Sequence, residues 1–404
     1  MNQVPNFDPA DPKFLADPLA TYAELRSHRP VQHLPISGGL WLLTRYQDIQ
    51  PLVTRQDGRM QPEGVDRSRI FGDQQAAAGR IYRNLMVLND PPRHLRLRSL
   101  AQQALTPRAV ENLRGRVEQV VDEALDSVAD RGEMDAVDDL AFVVPYRVIC
   151  GMLGIPPDQR EALLANTPDF FRIFIPEAND QAGIDACNQA CAFFIEYLSK
   201  KIEQRQDEPG DDILGGLIRA EAEGKAYERD EIVATALSIL AGGFDTTMDM
   251  IGAGIYLFAN QPEEFEKLRG DPEAAARSAV EEIIRWESPV GVNYRIFPED
   301  LEVGGQRIPA GEPVWMALLS ANHDEARFAE PDRLSIARPD NQHLAFGGSR
   351  HFCIGQHLAR LEGEIVFRRL AERFTGFELV GPTPRRQNFQ FRSFESLPVR
   401  FETA

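Results

Sequence analysis

One cysteine of this chain sits where its chemistry can be used. His343-Leu-Ala-Phe346-Gly-Gly-Ser-Arg-His351-Phe-Cys353-Ile-Gly355 is a glycine-rich loop, and the residues after it read as a helix with Leu358, Leu361, Ile365 and Leu370 on one face. A thiol at a helix entrance feels the positive end of the helix dipole, which favours thiolate. Gly347, Gly348 and Gly355 carry no side chain, so a flat group can approach the backbone there. A thiolate so presented suits the role of single ligand to a planar iron macrocycle. A lone cysteine beside a turn is otherwise a packed, inert thiol.

A second centre is Ala241-Gly242-Gly243-Phe244-Asp245-Thr246-Thr247, midway along an apolar helix expected from Asp230 to Phe258. Each glycine inside a helix costs roughly 1 kcal/mol against alanine, a cost that makes sense where a ligand approaches the helix backbone. Thr246 can hydrogen-bond back to a carbonyl one turn earlier and open the helix locally. Asp245 beside it supplies an acid next to an alcohol, the elements of a proton relay. A third stretch, Asn89-Asp90-Pro91-Pro92-Arg93-His94-Leu-Arg96-Leu-Arg98, places His94 and Arg98 on one helix face with Asp90 as its cap. Two such donors suit a pair of carboxylates, and equally a solvated basic face.

Phe346-x-x-x-x-His351-x-Cys353-x-Gly355 resembles the haem-ligand loop of the cytochrome P-450 superfamily, in its soluble bacterial branch, with Ser349 where that family usually has a second glycine. Asp90-Pro-Pro-x-His94-x-x-x-Arg98, Gly242-Gly-x-Asp245-Thr246 and Glu282-x-x-Arg285 resemble three further motifs of the family. The resemblance covers nearly the whole chain. It implies a mainly α fold with a minor β region, formed as one domain over residues 1–404. It implies haem b, with Cys353 as iron ligand and Gly242, Phe346 and Gly355 against the cofactor. His94, Arg98, Arg295 and His351 would hold its propionates. Asp245 and Thr246 would deliver protons during dioxygen activation. Glu282 and Arg285, joined by Arg338, are implied as scaffold, whereas spacing alone would make the pair a weak surface contact. The segment Gly58–Leu85 would cover the substrate; the cluster Phe170, Phe171 and Phe174 is equally a pocket roof or core, and Phe391 a pocket wall or packed core. The implied reaction inserts one oxygen atom from O2 into an apolar small molecule. Electrons would come from NAD(P)H through a ferredoxin and a separate reductase, since no flavin or iron–sulfur module is visible. Arg93, Arg96, Arg350 and Arg360 are expected to offer that donor a positive patch. A peroxide-using member, a coupling, desaturating or dealkylating member, and a haem sensor are the alternatives.

These groups need a large scaffold. The 404 residues suffice, with no linker, repeat or low-complexity tract to divide them. A net charge of −18 argues against nucleic acid. The N-terminal stretch lacks a signal pattern, no apolar run reaches spanning length, and four cysteines suit a reducing compartment. A cytoplasmic protein without membrane contact is expected. Cys187 and Cys191, four apart, read as packed thiols.

Helices are expected at Pro18–Arg26, Tyr46–Val53, Ala109–Val128, Leu140–Leu153, Gln159–Ile175 with a break at Pro176, and Ile184–Arg205. A hairpin is expected at residues 31–44 and another at 301–308, between strands 294–297 and 314–318. Residues 58–85 read as irregular, and Asn388–Phe401 as strand-like.

Overall fold

The structure, a computed structural model, describes residues 7–36, 38–174, 180–210, 212–222 and 228–404. The expected break at Pro176 and Ser37 of the first hairpin turn lie outside the described residues. Helices dominate and short strands form three small sheets. The chain forms two compact units: one of residues 1–59, 111–145 and 245–404, the other of residues 60–110 and 146–244.

In the first unit, Val31–Leu34 pairs antiparallel with Leu40–Leu43, in the register Val31 opposite Leu43. Leu40–Leu43 then runs parallel to Pro313–Ala317, which pairs antiparallel with Val292–Ile296. The alternation in these strands buries Leu43, Val314 and Met316 against Ile49 and Val53 of the helix Tyr46–Val53. Between strands 292–296 and 313–317 a hairpin, Leu301–Val303 with Gln306–Ile308, turns on Gly304 and Gly305, both at positive φ. Glu133–Asp135, Pro398–Thr403 and Phe374–Leu379 form the third sheet. Of the expected strand-like tail, only Pro398–Thr403 is a strand. Residues 385–394 make a hairpin with one bridge, Arg385 to Phe394.

The helices Pro272–Glu287 and Gln356–Arg373 pack together in this unit. Gly363 permits it: a Cβ there would lie 2.8 Å from Val280 Cγ2 and from Met250 Cε. Leu358, Leu361, Ile365 and Leu370 are all buried, as their spacing requires.

The second unit is built on the helices Ala77–Asn84, Arg93–Ala104, Arg160–Phe171 and Gln181–Gln204. Ala77–Asn84 corrects the expectation of an irregular segment. Its buried Ala78, Ile81 and Tyr82 are helix-spaced, but the surrounding Gly, Pro and Asp hide a stretch this short. Asn188 fastens it, accepting from the Ala78 N–H at 3.0 Å and donating to the Phe71 carbonyl at 2.9 Å. The expected helix from Ala109 to Val128 is two, Pro107–Glu111 and Arg114–Ala129. The helix Arg229–Asn260 runs through both units, passing from the second to the first at Asp245. Among the described residues no single helix is long and apolar enough to cross a membrane.

Glu282 and Arg285 are fully buried, not a surface pair. The guanidinium donates to both carboxylate oxygens at 2.8 and 2.9 Å and to the Asn322 and Pro331 carbonyls at 2.7 and 2.9 Å. Arg338 adds a second fork at 3.0 and 3.1 Å, and the Ser335 N–H a further bond at 2.9 Å. Removing one member of a buried, hydrogen-bonded ion pair costs about 3–5 kcal/mol because the other charge stays buried. Glu282→Gln should therefore lower stability by about 3 kcal/mol, with Arg338→Met milder because Arg285 keeps its partner. Calorimetric thermal midpoints measure both, and an unchanged midpoint for Glu282→Gln would contradict the ion-pair role.

Candidate active site

The cysteine loop is held by its own backbone and by the helix after it. The Cys353 N–H donates to the Phe346 carbonyl at 2.9 Å and the Gly347 N–H to the Leu344 carbonyl at 2.8 Å. The Leu344 N–H in turn donates to Asn322 Oδ1 at 2.7 Å. Cys353 is half-buried, three residues before the helix Gln356–Arg373 begins. The guanidinium of Arg360 lies over the Phe346 ring at 4.4 Å and bonds Glu281 at 2.5 and 3.1 Å. Burial would push the Glu281 carboxyl up, but hydrogen bonds from His343 and Arg360 outweigh it and carry it down to about 2.

The three loop glycines do different work from that expected. A Cβ on Gly348 would lie 2.7 Å from the Val53 carbonyl oxygen, so this glycine is needed for packing on the helix Tyr46–Val53. Gly347 has φ +67 and sits against the Asn293 side chain. Only Gly355 faces open space, with nothing within 4 Å of its missing Cβ. The helix glycines divide likewise. A Cβ on Gly243 would run into Ile149, an ordinary packing reason, whereas Gly242 meets nothing within 4 Å. Gly242 is exposed in an otherwise largely buried run, and Thr246, one turn on, is half-buried. The expected local opening is not seen: Arg229–Asn260 is α-helical throughout.

Asp245 is buried, and Arg386 donates to its Oδ1 at 3.2 Å. Burial raises its proton affinity and the guanidinium partly offsets that. Two further acids escaped the sequence reading. Asp249, one turn beyond Asp245, and Glu362, on the helix after the cysteine, are both buried, and among the described residues no group meets their oxygens in good hydrogen-bond geometry. Burial pushes both carboxyls well up; Asp245 adds to this at Asp249, while Thr247 opposes it at Glu362. The available signal was an acid on the apolar stripe of each helix, Asp249 between Met248 and Met250 and Glu362 beside Leu361.

The expected site residues fall in both units. Cys353, Phe346, His351, Gly355, Arg295, Asp245 and Thr246 belong to the first; His94, Arg98 and Gly242 to the second. Arg295 is buried and donates to Asn293 Oδ1 at 2.7 Å, and Asn293 also touches Gly347, so one asparagine joins it to the cysteine loop. His351 is half-buried in the 3-10 turn Ser349–His351. His94 is fully buried on the helix Arg93–Ala104, with Arg98 half-buried one turn on. Asp90 does not cap that helix. Its carboxylate accepts from the Met60 and Gln61 N–H groups at 2.9 and 3.1 Å, tying the start of the segment 58–85 to the turn before the helix.

The arginines expected to form a donor patch are largely committed elsewhere. Arg93 and Arg96 both bind Glu231, a buried carboxylate, at 3.2 and 2.8 Å. Arg360 is held by Glu281. Spacing shows where such side chains lie along a helix but not which distant acid meets them.

Ser349, the departure from the family's loop, has φ +60, the left-handed region, and its hydroxyl oxygen is buried without a hydrogen-bond partner. That conformation costs about 1–2 kcal/mol for an L residue and a buried unsatisfied hydroxyl about 1–3, while glycine's extra unfolded freedom offsets about 0.5–1. Ser349→Gly is therefore expected to stabilise the protein by about 1–2 kcal/mol, seen as a raised thermal midpoint. An equal or lower midpoint would show that the serine is not strained.

The family model described as cytochrome P-450 matches residues 64–391. Cytochrome P-450 107B1 of Saccharopolyspora erythraea is 36% identical over 98% of both chains. The 6-deoxyerythronolide B hydroxylase of the same organism is 34% identical over 100% of both. Among solved structures, the bacillaene polyketide synthase cytochrome P-450 PksS of Bacillus subtilis superposes with a TM-score of 0.88 at 31% identity, over 98% of this chain and 100% of that one. With the cysteine loop, the glycine-gapped helix and the buried Glu282–Arg285–Arg338 cluster, these matches make the chain a member of the cytochrome P-450 family, an oxidoreductase of the haem-dependent monooxygenases.

Proposed function

We propose that the chain is a single functional domain binding haem b, and that it inserts one oxygen atom from O2 into an apolar small molecule of the polyketide or macrolactone class. The observation that carries this reading is the long helix. It leaves Gly242 open and Thr246 part-open, beside a buried acid at Asp245. The polyketide class is supported by two relatives, a 6-deoxyerythronolide B hydroxylase and a polyketide synthase cytochrome P-450. The rings of Phe170, Phe174 and Phe194 pack together in the second unit, Phe170 lying 6.0 Å from Phe174 and 5.6 Å from Phe194, and Phe171 lies 6.4 Å from Phe244.

The residues present suit haem. Gly355 and Gly242 offer faces without side chains, and the loop presents a half-buried thiol. Cys353 would ligate the iron, with Phe346 beside it. His94, Arg98, Arg295 and His351 would bind the propionates by charge-assisted hydrogen bonds. Haem, when bound, supplies dioxygen activation, which thiolate electron donation promotes. The rest is the chain's work. Asp245 would carry the proton, in a site where burial raises its proton affinity and Arg386 partly offsets that. Thr246 sits next to it on the open side of the helix and orients its transfer. Apolar walls exclude water and bind substrate. Electrons are assigned to NAD(P)H through a ferredoxin and reductase, in the cytoplasm.

Two variants test this. Cys353→His should abolish the red-shifted spectrum of the reduced carbonyl complex, and retention of that spectrum would remove Cys353 as ligand. Thr246→Ala should bind haem and substrate normally yet lose product on the order of a hundredfold while NAD(P)H oxidation continues. Unchanged coupling with macrolactones that shift the haem spectrum would exclude the relay.

A further inference from the structure

Asp249 is a buried acidic residue on a helix face covered by one hairpin. The hairpin 385–394 lies along that face. Asp245, Asp249, Gly252 and Tyr256 recur at spacings of four, three and four, which places them on one stripe of the helix. Arg386 reaches Asp245, and Phe394 lies 3.6 Å from the position of a Cβ on Gly252 and 5.1 Å from the Tyr256 ring. Arg385 covers the Phe394 ring at 3.8 Å and bonds Glu287 of the helix Pro272–Glu287 at 2.5 Å. The hairpin's strands are joined by the Arg386 N–H to the Ser393 carbonyl at 2.9 Å, and the Asn388 side chain closes its turn.

Under this cover Asp249 is 3% exposed, and the hydroxyl of Ser393 is the hydrogen-bonding group that acts on its carboxyl, outside ideal geometry. The groups acting on it are Asp245 on its own helix, Arg386 and Ser393 on the hairpin, and Glu287, whose charge Arg385 neutralises. An ionised carboxylate so enclosed would carry a large desolvation cost. A carboxylic acid would not. The Arg386 side chain, by contrast, is 48% exposed, so the cation on Asp245 reaches solvent.

We propose that Asp249 is a second carboxyl of the Asp245 relay, standing protonated one helical turn behind it under the hairpin 385–394. This rests on the proposed monooxygenase function, which consumes protons at Asp245. When Asp245 gives up its proton it becomes a carboxylate, and the Asp249 O–H supplies the replacement. Asp249 is then the carboxylate, and the pair recovers one proton from bulk water where Arg386 meets solvent. No other reactant is needed. Asp249 touches no substrate in this scheme; it is a positioning residue that keeps Asp245 loaded.

Burial and the Asp245 charge both raise the proton affinity of Asp249. The acid form is therefore kept to higher pH than in a free aspartate and is lost as pH rises through its folded-state value. Difference infrared spectra of the haem-loaded enzyme over a pH series read this directly, because a protonated carboxyl has a carbonyl stretch that a carboxylate lacks. Wild type should show such a band at neutral pH, and Asp249→Asn should lose one component. Glu362, also buried, gives a separate component, removed by Glu362→Gln. Asp245→Asn should keep the Asp249 component but let it titrate at lower pH, since a neighbouring negative charge is gone. Arg386→Gln, at a half-exposed position that should not unfold the protein, should extend Asp245 protonation to higher pH. In turnover, Asp249→Asn should reduce coupled product formation about tenfold with a larger solvent isotope effect, and Asp249→Glu should restore part of it. A wild-type spectrum without the band, or a band indifferent to Asp249→Asn, overturns the proposal. Loss of the band with unchanged coupling and isotope effect overturns its place in proton delivery. The infrared result does not depend on turnover, so an enzyme that oxidises no macrolactone while keeping the Asp249 band counts against the proposed function alone.

Discussion

A single buried carboxylate organises the first unit. Glu282 receives two guanidinium forks and a backbone N–H, and Arg285 spends its remaining donors on the carbonyls of Asn322 and Pro331. Two charges so enclosed gain little net stability, because desolvation offsets their attraction. What the cluster does is fix positions. It ties the helix Pro272–Glu287 to the otherwise irregular stretch from Pro331 to Arg338, which leads into the cysteine loop. Asn322, whose carbonyl Arg285 holds, also accepts the Leu344 N–H at the start of that loop. The thiol of Cys353 is thus located by a chain of hydrogen bonds that begins at a charge pair with no part in the chemistry.

The same logic governs what the sequence could and could not reveal. Features carried by local pattern were readable. The cysteine loop has a fixed spacing, the helix Arg229–Asn260 has a long period, and Tyr46–Val53 and the hairpin at 301–308 have both period and turn chemistry. The family resemblance, not the spacing, identified Glu282 and Arg285 as scaffold. Features set by distant partners were not readable. Asp90 looks like a helix cap and instead holds the Met60 and Gln61 amides. Arg93 and Arg96 look like a docking patch and instead close on Glu231. Gly243 and Gly348 look like clearance for a ligand and instead admit Ile149 and the Val53 carbonyl. A glycine or an arginine announces that something comes close; its neighbours in the chain do not say what.

Conflict between a local rule and the fold marks the functional region. The long helix accepts Gly242, where an added Cβ would meet nothing within 4 Å, and two acids, Asp245 and Asp249, on a buried face. The helix after the cysteine accepts Glu362, buried with only Thr247 to ease it. Each choice lowers stability relative to an apolar residue of similar size. Ser349 adds backbone strain in the cysteine loop. The buried cluster around Glu282, Arg285 and Asn322 is by contrast richly hydrogen-bonded.

The hairpin 385–394 shows how such a cost can be retained. It contributes only one β-bridge of its own, so its place depends on side chains: Arg385 on Glu287, Phe394 on Tyr256, and Arg386 on Asp245. The first two anchor it by burial and charge. Arg386 is then brought to Asp245 without having to supply the anchoring energy itself. An exposed cation that is not structurally essential can exchange between its partner and water, which a buried arginine such as Arg285 cannot. The geometry accordingly separates the two uses of arginine in this unit: Arg285 is enclosed and holds the scaffold, while Arg386 is open and leaves the proton-bearing carboxyl beneath it accessible to a change in charge.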